Sequence, residues 1–169
     1  MTMPLLASQQ GVWQGEYVHF DAEHREIDRH KSMLVARLFD GPDGEAKFVQ
    51  SNIYDWPDET REIRHFEGIL QGDRVNISNV NIIGWVAPLA MDETGRTLMV
   101  QWTKAQDPDF RYYEMITLSE DGQHKNRTWH WYDCGRLFQR TLINELRVSD
   151  DWRAYDDPSY YAYSPRAPR

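Results

Sequence analysis

Seven clusters of turn-forming residues punctuate this chain and limit the length of every element between them. They are Asp40-Gly41-Pro42-Asp43-Gly44, Trp56-Pro57-Asp58-Glu59, Gln71-Gly72-Asp73, Asp92-Glu93-Thr94-Gly95, Asp107-Pro108-Asp109, Glu120-Asp121-Gly122 and Asp133-Cys134-Gly135. Gly, Pro and Asp supply the backbone angles and local hydrogen bonds of tight turns. The clusters recur at intervals of roughly 13 to 16 residues, with one longer gap before Asp92. The stretches between them are short and rich in Val, Ile, Thr, Tyr, Phe and Trp, the signature of an antiparallel meander. Strands are expected over 12–20, 32–39, 46–54, 61–70, 74–81, 82–89, 97–104, 110–119, 126–132 and 137–148. Many alternate: Arg127-Thr128-Trp129-His130-Trp131 puts Arg and two Trp on one face, Thr and His on the other. Two short helices are expected, over 3–10 and 21–30, the first closing one end of the sheet.

About ten antiparallel strands with little helix must bury a face, and closing the sheet removes its edges. The expected fold is therefore all-β: a single antiparallel meander barrel of about 8–10 strands, wide enough to hold one small ligand. A sandwich is the alternative, but it has less use for faces that mix polar and aromatic residues. No boundary falls before residue 148. From Ser149 the composition shifts to an aromatic-rich, irregular tail (149–169) with Trp152, Tyr155, Tyr160, Tyr161 and Tyr163. Such a tail suits docking on its own barrel or on a second copy of the chain, as in a homodimer.

Composition narrows the function. The formal charge is −8, which argues against binding nucleic acid phosphates without regard to sequence. No apolar run approaches the length of a membrane span. The start has no basic segment before its short apolar run, so no secretory signal is read there. The single cysteine, Cys134, excludes an intrachain disulfide framework and any multi-cysteine metal site. A cytoplasmic protein is the expectation. The unusual feature is the aromatic set of 7 Trp, 9 Tyr and 6 Phe, which suits either a core or the wall of a ligand cavity.

The first strand carries Gly11-Val12-Trp13, and Arg147 stands near the end of the last. This pairing resembles the calycin (lipocalin-like) signature, in which the Trp plugs one end of the barrel and a basic residue of the last strand packs across it. Within calycins the chain is similar to a lipocalin-like family related to the S-type chromophore lyases of phycobiliproteins. The pieces that carry the likeness, across roughly residues 11–148, are Trp13-x-Gly15-x-Tyr17, Gln50-Ser51-Asn52-Ile53-Tyr54, Phe66-Glu67-Gly68, Tyr113-Glu114-Met115-Ile116, Asn126-Arg127-Thr128-Trp129 and Leu142-Ile143-Asn144-Glu145-Leu146-Arg147. The resemblance implies a barrel holding a hydrophobic or aromatic small molecule. It does not imply bilin attachment.

The residues add candidates of their own. No Gly-rich phosphate loop, Gly-x-Ser-x-Gly or His-x-x-Glu-His pattern is present, so no nucleotide cofactor and no metal is expected, although distant strands can bring ligands together. Cys134 reads as an incidental turn thiol, and Asn126-Arg127-Thr128 as a chance match to a glycosylation pattern. If Trp13 points inward, so do Gly15, Tyr17 and His19, with His19 near the open mouth. His19 is then either a general base or a hydrogen-bonded rim histidine. On the third strand Phe48, Gln50, Asn52, Tyr54 and Trp56 share the face favoured as inward, lining a ligand site or forming an internal network. Arg127 beside Trp129 and Trp131 suggests cation–π stacking or a carboxylate clamp. Its partner is Glu114, another carboxylate or a ligand anion. Arg140 is placed on an inward face of the last strand with Asn144, Phe138, Leu142 and Leu146. If the phase of the ninth strand is reversed, His130 and Tyr132 face the pocket instead.

Two functions follow. In the first, the cavity binds an aromatic molecule and performs cofactor-independent lyase, isomerase or cyclase chemistry, with His19, Tyr54, Arg127 and Glu114 catalytic and Tyr17, Gln50, Asn52, Trp129, Trp131 and Arg140 binding. In the second, the same cavity is a non-catalytic carrier or chromophore chaperone.

Overall fold

The turn clusters separate ten strands: β1 (Gly11–Asp21), β2 (Glu26–Asp40), β3 (Ala46–Asp55), β4 (Arg61–Gln71), β5 (Arg74–Ser78), β6 (Ile82–Leu89), β7 (Thr97–Lys104), β8 (Asp107–Leu118), β9 (His124–Asp133) and β10 (Arg136–Ser149). The structure is a computed structural model that describes residues 3–155 apart from 43 and 92. Each strand pairs with the next, and β1 also pairs with β10, so the sheet closes into a ten-stranded barrel. The all-β meander barrel is therefore the fold, and the sandwich does not form. The N-terminal helix α1 (Pro4–Ala7) is a single turn. Its Leu6 and the preceding Met3 are buried in the barrel's main core, so it closes one end as expected. Among the described residues no helix is long and apolar enough to cross a membrane.

The second expected helix, over 21–30, does not exist. The Asp21 carboxylate accepts the backbone N–H groups of Glu23 and Arg25, and His24 adopts a left-handed φ of 64°. That side-chain turn stops helical propagation. The chain then reverses, with His19 opposite Asp28 and Tyr17 opposite His30. The segment looks like a polar connection because its outward residues are charged and its inward ones are Asp28 and His30. A smaller correction concerns Asp107-Pro108-Asp109. These residues belong to β8, and the turn sits at Ala105 and Gln106.

Gly15 marks the closest approach of β1 and β10. A Cβ there would lie 2.2 Å from the Asn144 carbonyl oxygen and 2.7 Å from Glu145 Cγ. Any larger residue would displace Glu145, which passes beneath Gly15 to meet Lys125 and Arg127 on the neighbouring strand β9. At the far end of the chain, Trp152–Tyr155 forms a one-turn 3-10 helix. Its Trp152 ring lies 5.6 Å from the Arg37 guanidinium on the outer face of β2. The start of the tail thus docks on its own barrel. Tyr160, Tyr161 and Tyr163 lie outside the described residues.

Candidate ligand site in the barrel

The closed end is built around Trp13, which has no exposed surface. Its Nε1–H donates to the Gln9 carbonyl at 2.9 Å. The Arg147 guanidinium lies 4.2 Å from the ring centroid, and Lys125 Nζ also lies at 4.2 Å. Arg147 additionally donates to the Gln10 carbonyl at 2.6 Å and the Gly122 carbonyl at 2.9 Å, tying the helix, a turn and β10 together. Lys125 escapes sequence reasoning because it stands second in β9 beside a turn and looks like a solvated rim residue.

Above the plug lies a buried ionic network. Arg127 Nε donates to Glu114, and Arg127 Nη1 donates to Tyr17 Oη at 2.8 Å and to Glu145 at 3.2 Å. Glu145 also pairs with Lys125 at 3.0 Å, and Tyr112 Oη donates to Glu114. All of these side chains are nine-tenths buried or more. Two cations face two anions, so the network is neutral as a whole. Arg127 therefore has carboxylate partners within the chain and needs no ligand anion. Burial raises Tyr17 and Tyr112 well above the ordinary phenol value, so both stay neutral, Tyr17 accepting from Arg127 and Tyr112 donating to Glu114.

Burial pushes the Lys125 ammonium down from its ordinary 10.5 to about 8, against the attraction of Glu145. Between about 8 and 10.5 the unfolded chain binds more protons than the folded one, so stability should rise with pH across that window. Below it both states are protonated and the penalty of burying the charge is fully present. The buried phenols act in the opposite sense: their contribution is present below 10.0 and is lost as pH rises past it. Urea unfolding midpoints taken through the alkaline range should climb and then fall, and Lys125→Met should flatten the climb.

The inner face is a continuous aromatic lining. Tyr17 stacks on His30 at 4.9 Å and meets Tyr54 and Trp129 edge-on at 5.2 and 5.1 Å. Trp129 continues to Trp131 at 5.6 Å and Tyr112 at 5.3 Å, and Tyr112 stacks on Trp102 at 4.7 Å. This lining encloses an inner chamber of about 80 Å³ and a mouth cavity of about 410 Å³. Tyr54, Arg64, Trp129 and Trp131 are walls of both. Trp129 Nε1 and Gln9 Nε2 have no hydrogen-bond partner among the described residues, although both side chains are buried on the chamber wall.

At the mouth His19, Asp28 and His30 converge. Their nearest ligating atoms all lie within 4.8 Å of one another. His19 Nδ1 is held by Thr141 Oγ1 at 2.8 Å and Gln139 Nε2 at 2.9 Å. Trp56 Nε1 donates to Asp28 at 3.0 Å. Asp28 and His30 are missing from the sequence-derived candidates because a charged segment such as 21–30 shows no strand alternation.

The structure brings most of the sequence candidates together. Gln50 and Asn52 line the inner chamber, with Gln50 Nε2 donating to Asn52 and Asn52 Nδ2 donating to Tyr54 Oη at 2.7 Å. Tyr17, His19, Tyr54, Trp129 and Trp131 line the mouth, and Glu114 and Arg127 lie deeper. Arg140 is the exception. The inward face of β10 is Gln139, Thr141, Ile143, Glu145 and Arg147, while Phe138, Leu142 and Leu146 are 40%, 41% and 49% exposed. Arg140 therefore points outward, opposite His130 of β9. His130 and Tyr132 lie on that outer face too. Cys134 is exposed, and the neighbouring Asp133 carboxylate raises its thiol, which makes it less reactive.

The site thus lies inside a closed ten-strand meander barrel with an aromatic interior and one plugged end. No protein-family profile matches the chain, and no curated protein matches it by sequence. Solved structures do match. A DUF3598 family protein from Nostoc punctiforme aligns over 88% of this chain and 51% of its own, at 17% identity and a TM-score of 0.66. The chain thus spans about half the length of that protein. The S-type phycobiliprotein lyase CPES from Guillardia theta aligns over 85% of this chain and 90% of its own, at 12% identity and a TM-score of 0.61. Rv2717c from M. tuberculosis aligns over 87% and 99%, at 12% identity and a TM-score of 0.54. The first two are barrels of the same ten-strand design, in keeping with the resemblance to a lipocalin-like family related to these lyases. At these identities the likeness concerns the fold.

Proposed function

We propose that the barrel binds a flat, uncharged aromatic molecule carrying hydrogen-bond acceptors. The observation that carries this reading is the indole N–H of Trp129, buried without a protein partner on the wall shared by both chambers. A buried donor without a partner is costly, and a ligand acceptor would satisfy it. Charge supports the same class. Lys125 and Arg127 are matched by Glu114 and Glu145, and Arg64 on the cavity wall by Glu62, so a neutral ligand leaves no ion unpaired. The mouth volume falls within the range of small-molecule pockets. The phycobiliprotein lyase among the structural neighbours is consistent with a chromophore-sized aromatic guest.

A catalytic reading has its own support. His19 and His30 stack at 5.1 Å beside Tyr54 and open onto the mouth cavity. Imidazole exchanges protons near neutral pH, as lyase, isomerase or cyclase chemistry requires. In this reading His19 moves the proton. Arg127 and Glu114, locked to each other, shape the floor. Burial keeps Tyr54 a neutral phenol, against the pull of the Arg64 and Arg127 guanidinium groups.

The test is native mass spectrometry of protein purified from its own host, followed by titration of the stripped protein with the recovered compound. A stoichiometric aromatic guest is expected. Trp129→Phe, which keeps a ring and removes the N–H, should weaken it about tenfold, the worth of one buried hydrogen bond. Undiminished affinity in that variant, or a charged guest, overturns the reading. Turnover lost in His19→Ala with affinity kept supports catalysis; unchanged chemistry leaves a carrier.

A further inference from the structure

We propose that His19, Asp28 and His30 form a binding site for a first-row divalent transition cation at the mouth of the barrel. Two imidazoles and one carboxylate place their ligating atoms within 4.8 Å of one another. The ring centroids of His19 and His30 are 5.1 Å apart. Two imidazoles bound to one tetrahedral ion, with metal–nitrogen bonds of about 2.0–2.1 Å, have centroids at about that separation. His30 Nδ1 lies 3.9 Å from Asp28 Oδ2. Closing onto an ion therefore asks for a movement of about 1 Å, within the reach of side-chain rotation.

The surroundings hold each ligand from behind. Thr141 Oγ1 and Gln139 Nε2 contact His19 Nδ1, which leaves His19 Nε2 as the coordinating atom. On binding, His19 adopts the tautomer that carries its proton on Nδ1, and that N–H donates to Thr141 Oγ1 or to the carbonyl oxygen of the Gln139 amide turned over. Trp56 Nε1 contacts both oxygens of Asp28, at 3.3 and 3.0 Å. Outer contacts of this kind fix ring orientation and ligand geometry in metal centres. All three ligands come from the β1–β2 hairpin, where His19 stands opposite Asp28 and Tyr17 opposite His30. Strand pairing, not loop closure, sets their spacing.

The donor set selects the ion. Imidazole nitrogen favours zinc, cobalt, nickel or ferrous iron over calcium or magnesium, which prefer all-oxygen cages. Three protein ligands leave a coordination position, and all three residues line the 410 Å³ mouth cavity. Such an open position is the mark of a working rather than a structural centre. The inference does not depend on the aromatic guest, since the cation is held by protein groups alone.

The experiment is titration of the tag-free, ligand-stripped chain with zinc by calorimetry and with cobalt by absorption. One equivalent per chain is expected, with a cobalt spectrum of nitrogen and oxygen ligands. Asp28→Asn and His30→Ala should each weaken binding by about 100-fold or more. Thr141→Val, which touches no ion, should weaken it by about 10–100-fold. His124→Ala, at the first residue of β9 and away from the mouth, should change nothing. X-ray absorption of the zinc-loaded wild-type chain gives the ligand set without any variant. Absence of stoichiometric binding, binding unaltered in Asp28→Asn and His30→Ala, or a ligand shell lacking two imidazoles overturns the proposal.

Discussion

Replacing Arg127 by methionine is expected to destabilise the protein by about 3–5 kcal/mol, although methionine fits the space and is more apolar. The guanidinium joins Glu114, Glu145 and Tyr17 in the barrel interior, where Glu114 and Glu145 are each 3% exposed. Removing it leaves Glu114 without a cation and Glu145 with Lys125 alone. A buried carboxylate in that position keeps only the hydrogen bond it accepts from Tyr112, which does not offset the lost counter-charge. The double variant Arg127→Met with Glu114→Gln should recover most of the loss. The amide still accepts from Tyr112, Lys125 still answers Glu145, and no unpaired charge remains. Urea unfolding of the two single variants and the double variant measures the coupling. A loss below about 1 kcal/mol in Arg127→Met would place the pair in the regime of solvated surface bridges, and the neutral-interior argument would fall with it.

Trp13→Ala should cost about 3–5 kcal/mol for a different reason. The ring is completely buried and sits where the helix, β1, β9 and β10 meet. Its removal opens a cavity beneath Lys125 and Arg147, two cations whose positions depend on the ring face. Trp13→Phe keeps most of the volume and loses the hydrogen bond to Gln9, so the expected loss is nearer 1 kcal/mol for that bond plus a smaller cavity term. Thermal unfolding of the pair separates plugging from simple hydrophobic mass. If Ala and Phe behave alike, the aromatic face is not what organises the closed end.

The barrel was legible because turn residues carry backbone information locally: a Gly or Asp at a turn shortens the elements around it whatever the rest of the chain does. Facing was less legible, and the reason is parity. The pairing of Arg147 with Trp13 fixes Glu145, Ile143, Thr141 and Gln139 as inward by the two-residue period of a strand. Arg140 differs from Arg147 by an odd number of positions, so both cannot point inward on a regular strand. The only irregularity of the β9–β10 pairing lies between Leu137 and Gln139, before Arg140 is reached. Apolar Leu142 and Leu146 suggested the opposite face. They are among the large hydrophobics this barrel leaves exposed. Asp28 and His30 were hidden for a related reason. A strand whose inward residues are polar has no apolar alternation to read, and only its pairing with β1 shows what it faces.

The pairing of β1 with β10 has a consequence for how the chain is made. Trp13 and Arg147 are opposite one another in the register, yet nearly the whole chain separates them. During synthesis β1 can zip to β2 at once, but its other edge waits until β10 has left the ribosome. Through that interval a growing, half-closed sheet carries two open edges, each able to recruit another strand. Long-range closure of this kind also slows folding, because the loop entropy is spent before the final contacts form. The last strand is therefore the one whose late arrival governs whether nascent chains close on themselves or on each other.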